Sequence, residues 1–251
     1  MGRAFGVCGR MFSILHTPQK QIPPCASSAQ TVCRMLAFDI ETMGLDARRH
    51  AVTVVCTEDF HSGKKKSYEF ARLRAEHNEA LAFARITMLD EDEADAADVQ
   101  AQYDSLVLEL VQDFEEATSL CAFNGVRFDL PFLMHAFGID NATVTRWVLK
   151  TSDILECSRL VHGNTFSLNL LCQKNGLEMK ISSGLAAVQM AIDGEWKRLD
   201  AYCADDVSIL CRLYRMAVIS NPRTGKPILL QEWSFPGLLT KFSSSVPEST
   251  L

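Results

Sequence analysis

The pattern of apolar and polar residues predicts four strands in the first half of the chain. Short apolar runs rich in β-branched residues and bounded by glycine or polar residues are typical of strands in a sheet. Such runs occupy residues 34–41, 51–57, 67–70 and 119–123. The third run follows a turn at 63–66, where a glycine precedes three lysines. The predicted sheet therefore draws its strands from the first half, because the remainder reads as mostly helical.

Helical spacing of apolar residues marks the segments that cover this sheet. Residues 99–116 form an amphipathic pattern whose apolar positions are Leu106, Val107, Leu110, Val111 and Phe114. A helix is predicted at 131–137, ending near Gly138. Residues 141–216 read as mostly helical, with a last helix at 198–216. This order of elements is typical of an α/β fold with a mixed sheet flanked by helices.

Four carboxylates occur in three separated segments. Asp39 and Glu41 lie in FDIETMGLD, Asp129 lies in FNGVRFDLPFL, and Asp206 lies in YCADDV. Carboxylate oxygens are the ligands that Mg²⁺ and Mn²⁺ prefer. Two such ions, about 3.5–4 Å apart, activate water, neutralise a phosphodiester and stabilise the leaving oxygen. The four carboxylates therefore predict a nuclease with two divalent metal ions.

The first two carboxylates lie within an apolar run that reads as a strand. A spacing of two residues places Asp39 and Glu41 on one face of that strand. Phe38 and Ile40 then point to the opposite face, into the core. Crowded anions raise one another's pKa, so the protein without metal is expected to be less stable than the metal-bound protein.

The three segments resemble the motifs of the DEDD superfamily of 3′-to-5′ exonucleases, which share an RNase H-like fold. They follow its order of D-x-E, then N-x(2,3)-F-D, then Y-x(3)-D, and Tyr202 marks the tyrosine subclass. FNGVRFDLPFL and YCADDV are similar to the proofreading domain of family B DNA polymerases and to its free-standing relatives. The resemblance covers residues 34–216 and implies an RNase H-like mixed β-sheet flanked by helices.

The resemblance also implies a role for each carboxylate. Asp39 would bridge both metal ions, and Glu41 and Asp206 would complete the first metal site. Asp129 would support the second metal site, partly through water. These four residues and Tyr202 are the predicted catalytic residues.

Other residues in and near the motifs receive separate predictions. By the resemblance, Tyr202 would orient the nucleophilic water. Asn124 would lie near the sugar-phosphate of the terminal nucleotide, and the ring of Phe128 would stack on its base. Asp205 is predicted to be a surface residue, and Asp153 to be a helix cap or turn ligand rather than a catalyst.

Each segment by itself has a simpler interpretation. Asp39 and Glu41 suit a solvated strand end, and Asp129 suits a helix N-cap. Tyr202 and Asp206 suit one face of an amphipathic helix, since residues four apart are neighbours there. These interpretations do not explain why the three segments occur together and in order. That co-occurrence favours the nuclease.

Composition limits the kind of nucleic-acid contact. The 251 residues are 47% hydrophobic and carry a formal net charge of −6. This charge does not suit a protein that clamps long duplex by neutralising phosphates, so weak, metal-dependent binding of a few terminal nucleotides is expected. Nine cysteines without a C-x-x-C pair indicate neither a disulfide framework nor a zinc site. A reducing compartment is expected.

Three parts are predicted along the chain. Residues 1–33 form a basic N-terminal extension, either a transit peptide or a disordered arm, since the first 38 residues lack Asp and Glu. Residues 34–219 form the exonuclease domain, and residues 220–251 form a C-terminal extension with a short hairpin and a disordered tail. No apolar run approaches the ~20 residues that span a membrane. A soluble intracellular protein is expected, in the nucleus or cytoplasm, or in an organelle if residues 1–33 are a transit peptide.

The predicted activity is metal-dependent 3′-to-5′ hydrolysis of single-stranded ends, with release of nucleoside 5′-monophosphates. DNA is favoured over RNA because the most similar domains belong to DNA polymerases. No polymerase palm follows Asp206, so a free-standing enzyme or a subunit acting with a DNA polymerase in trans is expected. The alternative is a catalytically inactive nucleic-acid-binding or scaffold protein with the same fold. An endonuclease would share the metal chemistry but would cut circular single strands.

Overall fold

The computed structural model describes residues 34–76, 93–178 and 184–230. All of them belong to one unit, Cys33–Leu251. The predicted N-terminal extension at 1–33 and the predicted disordered tail lie outside the described residues.

The described chain builds a five-stranded mixed sheet. Its strands are β1 Met35–Thr42, β2 Val52–Asp59, β3 Lys65–Tyr68, β4 Ser119–Ala122 and β5 Thr151–Asp153. They lie in the order β3-β2-β1-β4-β5. The β1–β2 and β2–β3 pairs are antiparallel, and the β1–β4 and β4–β5 pairs are parallel. The predicted mixed sheet is confirmed, and β1 lies at its centre.

Helices carry most of the remaining described chain. Residues 70–76 are helical, and the helices that follow are α1 Glu93–Glu116, α2 Asp129–Phe137, α3 Asn141–Lys150, α4 Ile154–His162, α5 Leu168–Lys174, α6 Gly184–Ile192 and α7 Trp196–Arg215. The predicted helices at 99–116, 131–137 and 198–216 are confirmed with shifted ends. Gly138 ends α2 in the left-handed conformation, with φ 64°, as the predicted glycine C-cap requires.

Two elements begin earlier than predicted, α1 and β3. Helix α1 begins at Glu93 rather than at residue 99. Strand β3 begins at Lys65, so the predicted turn at 63–66 ends earlier. Lys66 binds α1 from this strand, with its Nζ 2.7 Å from Glu109 Oε1 and 2.8 Å from Asp113 Oδ2. These ion pairs hold Lys66 against α1, so this lysine belongs to the edge strand β3 rather than to the turn.

Strand β5 lies in the region predicted to be mostly helical. It has only three residues, Thr151–Asp153, and all three are buried. It follows α3 directly and precedes α4 directly, so no turn residues separate it from the helices. Its pairing with β4 depends on a segment about 30 positions away in the chain, with Ala122 opposite Asp153. Local sequence patterns do not report such a contact.

The two faces of β1 belong to two separate apolar clusters. Phe38 and Ile40, exposed by 0% and 5%, pack in a cluster that includes residues of α1, α2 and α3. Ala37 packs in the other cluster, which includes residues of α4 and α7. The predicted burial of Phe38 and Ile40 is confirmed. Asp39 and Glu41 alternate with them and lie on the α7 side.

The turn between β4 and α2 is closely packed at Gly125. A Cβ atom at this position would lie 2.5 Å from Ala122 Cβ and 3.1 Å from Phe38 Cζ. The first distance is shorter than real Cβ atoms essentially ever show, and the second is a tight contact. Ala122 cannot move away easily, because it belongs to β4. Only glycine therefore fits between Ala122 of β4 and the ring of Phe38.

Gly125→Ala is expected to destabilise the protein by about 1–3 kcal/mol, the usual cost of overpacking a core. Thermal denaturation measures this loss. Adding Ala122→Gly removes the methyl group that the new side chain meets, so the double variant is expected to recover part of the stability. Full stability of Gly125→Ala would contradict the packing described here.

A small antiparallel hairpin follows α7. Its strands are β6 Val218–Ser220 and β7 Pro227–Leu229. Ile219 and Ile228 are opposite each other and buried within the α7 cluster. Within the described residues, no helix combines the length and apolarity needed to cross a membrane. The division of the chain at residues 33 and 219 stays a prediction.

Cysteines of the described part are core residues. Six of them are buried free thiols, Cys56, Cys121, Cys157, Cys172, Cys203 and Cys211. Buried cysteine behaves as a small apolar side chain, and each of these six packs in the cluster on the α7 side of the sheet.

Candidate active site

The centre of the site is the second half of β1. Asp39 and Glu41 are partly buried, whereas the residues on either side of each are buried. The register with β2 shifts between Glu41 and Thr42, which marks a β-bulge or irregularity. Bulges redirect side chains and occur often beside functional sites. The predicted placement of both carboxylates on one strand face agrees with this burial pattern.

Helix α7 brings a third carboxylate to this strand. Its apolar face buries Cys203, Val207 and Leu210, and Cys203 Sγ lies 3.5 Å from the carbonyl oxygen of Asp39. Residues 202 and 206 are four apart and therefore neighbours on the helix. Carboxylate oxygens of Asp39, Glu41 and Asp206 all lie within 4.8 Å of one another. Segments more than 160 residues apart in the chain thus meet at one point.

Asp129 is the first residue of α2. It is 4% exposed, and its Oδ1 accepts a hydrogen bond of 3.2 Å from the backbone N–H of Ile40. Ile40 lies between Asp39 and Glu41 in β1, so this bond fixes Asp129 beside the other carboxylates. The structure therefore brings all four predicted carboxylates together.

Burial and mutual repulsion govern the protonation of this group. Burial raises the pKa of Asp39 well above its usual range, and the charges of Asp129, Glu41 and Asp206 raise it further. The pKa of Glu41 is raised from 4.5 to about 8, mainly by burial and to a smaller extent by the charges of Asp206 and Asp129. The pKa of Asp129 is raised from 3.8 to about 8, mainly by burial and to a smaller extent by the charge of Asp153. Without a cation, the folded protein retains protons here at neutral pH.

The donor set fits hard divalent cations. All donors are carboxylate oxygens, as Mg²⁺ and Mn²⁺ prefer. Packing several acids into a buried position is costly unless a cation offsets their charge. Asp39, Glu41 and Asp206 have the geometry to share one ion, and Asp129 is held beside them by the backbone N–H of Ile40. The number and identity of the ions stay predictions.

An open cleft lies beside Tyr202 and Asp206. Its volume is about 290 Å³, and its other lining residues are Glu178, Asp205, Ser208, Ile209 and Arg212. Tyr202 is partly buried and packs against the apolar cluster on this side of the sheet. Asp205, predicted to be a surface residue, is half-buried and lines this cleft. Tyr202 and Asp206 therefore both face this open space.

Asn124 and Phe128 lie in the turn that leads to Asp129. Asn124 is partly exposed and adopts the left-handed conformation, with φ 69°, which asparagine tolerates better than most residues. Phe128 is partly buried, with its ring centroid 4.7 Å from that of Phe132. Both residues lie in the turn that precedes Asp129, and their substrate contacts stay predictions.

A family model of the RNase_H superfamily, RNase_H_2, matches residues 36–218. The chain belongs to the RNase_H superfamily. The matched residues include β1 from Leu36 onward, the motif around Asp129 and the whole of α7. The predicted RNase H-like fold is confirmed, and the fold is that of RNase H-like nucleases.

Solved structures of longer proteins are similar to this member of the RNase_H superfamily. The family B DNA polymerase of the hyperthermophilic archaeon Pyrobaculum calidifontis has 16% identity and a TM-score of 0.48, over 74% of this chain and 24% of the polymerase. Exonuclease I of E. coli in complex with a dT13 oligonucleotide has 15% identity and a TM-score of 0.45, over 84% of this chain and 44% of the exonuclease. The chain spans less than half the length of either protein. No curated protein matches it.

Some contacts of the site were not predicted from the sequence. They include the bond from the Ile40 amide to Asp129 and the contact of Cys203 with Asp39. Asp153 was predicted as a cap, and it does cap α4, but it also accepts bonds from the Asn124 turn. The signal for this second role is the position of Asp153 at the carboxyl end of a strand parallel to β4, which required recognising β5.

Proposed function

We propose that this protein is a metal-dependent 3′-to-5′ exonuclease that removes nucleoside 5′-monophosphates from single-stranded ends. The observation that carries the proposal is the meeting of Asp39, Glu41, Asp129 and Asp206, three of them with raised pKa values, around one strand. Such a group is unfavourable without cations and suits phosphodiester hydrolysis with them. Membership of the RNase_H superfamily supports a nuclease.

In the proposed site, the residues of the chain hold the divalent ions and orient the attacking water. Bound divalent ions would supply a more acidic water and neutralise charge on the phosphate. Asp39 would bridge two such ions, Glu41 and Asp206 would complete the first site, and Asp129 would support the second. Tyr202 would donate or accept a hydrogen bond to hold the attacking water, since it lies one helical turn from Asp206.

The proposed substrate is the 3′ end of a single strand, with DNA favoured over RNA. Asn124 would contact its sugar-phosphate and Phe128 would stack on its terminal base. The net charge of −6 favours contact with few nucleotides, because extended phosphate contact requires many basic residues. A DNA polymerase acting together with this chain in trans is the proposed partner.

The experiment is a time course on a 5′-labelled single-stranded oligodeoxynucleotide with Mg²⁺ or Mn²⁺. A ladder that shortens from the 3′ end, and its loss in EDTA, are the expected results. Parallel reactions use a 3′-blocked oligonucleotide, a circular single strand and the matching RNA.

The circular strand and the RNA test different parts of the proposal. Cutting of the circle would indicate an endonuclease, because a circle has no end. Faster shortening of RNA would replace DNA as the proposed substrate. If folded protein that binds Mn²⁺ cleaves none of these, the protein is a nucleic-acid-binding or scaffold protein rather than an exonuclease.

A further inference from the structure

Asp153 makes more hydrogen bonds than a helix cap needs. It is the last residue of β5, is 2% exposed and caps α4. Its Oδ1 accepts bonds of 3.0 Å from the backbone N–H groups of Leu155 and Glu156, which are the usual capping bonds. Two more bonds come from the turn after β4. Asn124 N–H donates to Oδ1 at 2.9 Å, and Val126 N–H donates to Oδ2 at 3.0 Å.

The turn held in this way leads into α2. The carbonyl oxygen of Asn124 accepts from the N–H of Phe128 at 3.0 Å, and that of Gly125 accepts from the N–H of Leu130 at 2.9 Å. These bonds begin the helix whose first residue is Asp129. Fixing the turn therefore fixes the start of α2 and the direction of the Asp129 carboxylate.

A second contact joins the same turn to α4. Arg127 donates two hydrogen bonds to Glu156, from Nε at 2.6 Å and from Nη2 at 3.0 Å. Paired bonds of this kind fix orientation as well as distance. Arg127 itself is exposed, so the buried carboxylate of Asp153 is the stronger constraint on the turn.

The sheet explains why Asp153 reaches the turn. Strand β5 is parallel to β4, and Asp153 is opposite Ala122, the last residue of β4. The carboxyl ends of parallel strands lie at the same edge of a sheet. The carboxylate that follows β5 is therefore beside the backbone that follows β4.

We propose that Asp153 is a positioning residue of the active site, whose carboxylate holds the Asn124–Phe128 turn so that Asn124, Phe128 and Asp129 face the substrate and metal. It touches neither substrate nor metal and acts through the turn. The proposal rests on the proposed function. It adds a fifth carboxylate to the site, which is buried and whose partners are backbone amides rather than cations.

The isosteric change Asp153→Asn removes one of the two bonds to the turn and keeps the bonds that cap α4. Asparagine keeps one acceptor oxygen, which is enough for the cap, because asparagine caps helices as well as aspartate does. Its NH₂ group would replace Oδ2 and face the N–H of Val126, so that bond is lost. The matched control is Asp140→Asn, since Asp140 caps α3 and, within the residues that the structure describes, its side chain accepts hydrogen bonds from Thr143 of that same helix.

Asp153→Asn is expected to lower kcat on the single-stranded oligonucleotide about 10- to 100-fold, as loss of a supporting contact to a metal-site residue does. KM is expected to change less, and Asp140→Asn is expected to retain the wild-type kcat. Affinity for Mn²⁺, measured by calorimetry, is expected to fall with kcat in the first variant only. Amide hydrogen exchange at Val126 is expected to be faster in Asp153→Asn and unchanged in Asp140→Asn.

Results that contradict the proposal differ from those that contradict the proposed function. A wild-type kcat in Asp153→Asn, or a loss no greater than that of Asp140→Asn at equal Tm, would overturn the positioning role. If wild-type protein cleaves nothing, the exonuclease proposal fails, and Val126 exchange together with Mn²⁺ affinity still decides whether Asp153 positions the turn. Should Asp153→Asn fold poorly, Asp153→Ser keeps a side-chain oxygen that can cap α4 and removes the carboxylate oxygen that binds the N–H of Val126. A wild-type kcat in that variant, with unchanged exchange at Val126, would also overturn the positioning role.

Discussion

Asp39→Asn is expected to lower the cleavage rate at least about 10³-fold. Metal ions held by such carboxylates stabilise the transition state by several kcal/mol, and about 1.4 kcal/mol corresponds to a factor of ten in rate. Asp39 is the carboxylate whose pKa the charges of Asp129, Glu41 and Asp206 all raise. It is therefore central to the group. The substitution keeps the size of the side chain and removes its charge, and the 5′-labelled oligonucleotide assay measures the loss.

The control for this variant is Asp205→Asn, which removes one charge beside Asp206 in sequence. Asp205 is outside the group of carboxylates that could share an ion, so its substitution is expected to change the rate far less. Asp39→Asn should also raise the Tm of the metal-free protein, since it removes one of the crowded anions. A wild-type rate in Asp39→Asn would show that the metal site is elsewhere.

The stability of the metal-free protein is expected to fall as pH rises from about 4 to about 8. Glu41 and Asp129 have pKa values raised from 4.5 and 3.8 to about 8 in the folded state. Over this window the folded protein keeps protons that the unfolded chain has released, so rising pH favours unfolding. The stabilising protons are fully present below about pH 4 and lost as pH passes through 8. Ordinary carboxylates, whose pKa falls on folding, give the opposite slope.

Mg²⁺ is expected to reverse this trend at pH 8. An ion that binds only the folded state at about 100 times its dissociation constant stabilises by about 2.7 kcal/mol. For a domain of this size, that corresponds to a rise in Tm of about 5–10 °C. Thermal denaturation at pH 5, 6.5 and 8, with and without Mg²⁺, measures both effects. Asp39→Asn should lose most of the Mg²⁺ response, and an equal response in both proteins would place the ion elsewhere.

The parts of the fold that the sequence predicted correctly depend on local patterns. Alternation in β1 gave both its position and the opposite directions of Phe38 and Asp39, because successive side chains of a strand point to opposite faces. The glycine end of α2 was predicted at Gly138 for the same reason of local backbone preference. The end of α1 at Glu116 was likewise readable from apolar spacing.

The parts that were missed depend on contacts between distant segments. Strand β5 is too short for any periodicity, and it is a strand only because β4 lies beside it. The bond from Ile40 to Asp129 joins positions 89 apart, and the bond from Val126 to Asp153 depends on β5. For the candidate site, residue types and order predicted which side chains would meet. Their hydrogen bonds required the folded chain.

The candidate site combines residues from the beginning and the end of the domain, which determines when a folding chain can become active. The carboxylates of β1 come from the start of the domain, yet Asp206 arrives with α7 near the end of it. A chain synthesised only as far as α4 can pair all five strands of the sheet and still lacks the third carboxylate. Contacts of such long sequence separation form late and slowly during folding. Nuclease activity would thus appear only when nearly the whole domain has folded, and partly folded or truncated chains would not degrade nucleic acid.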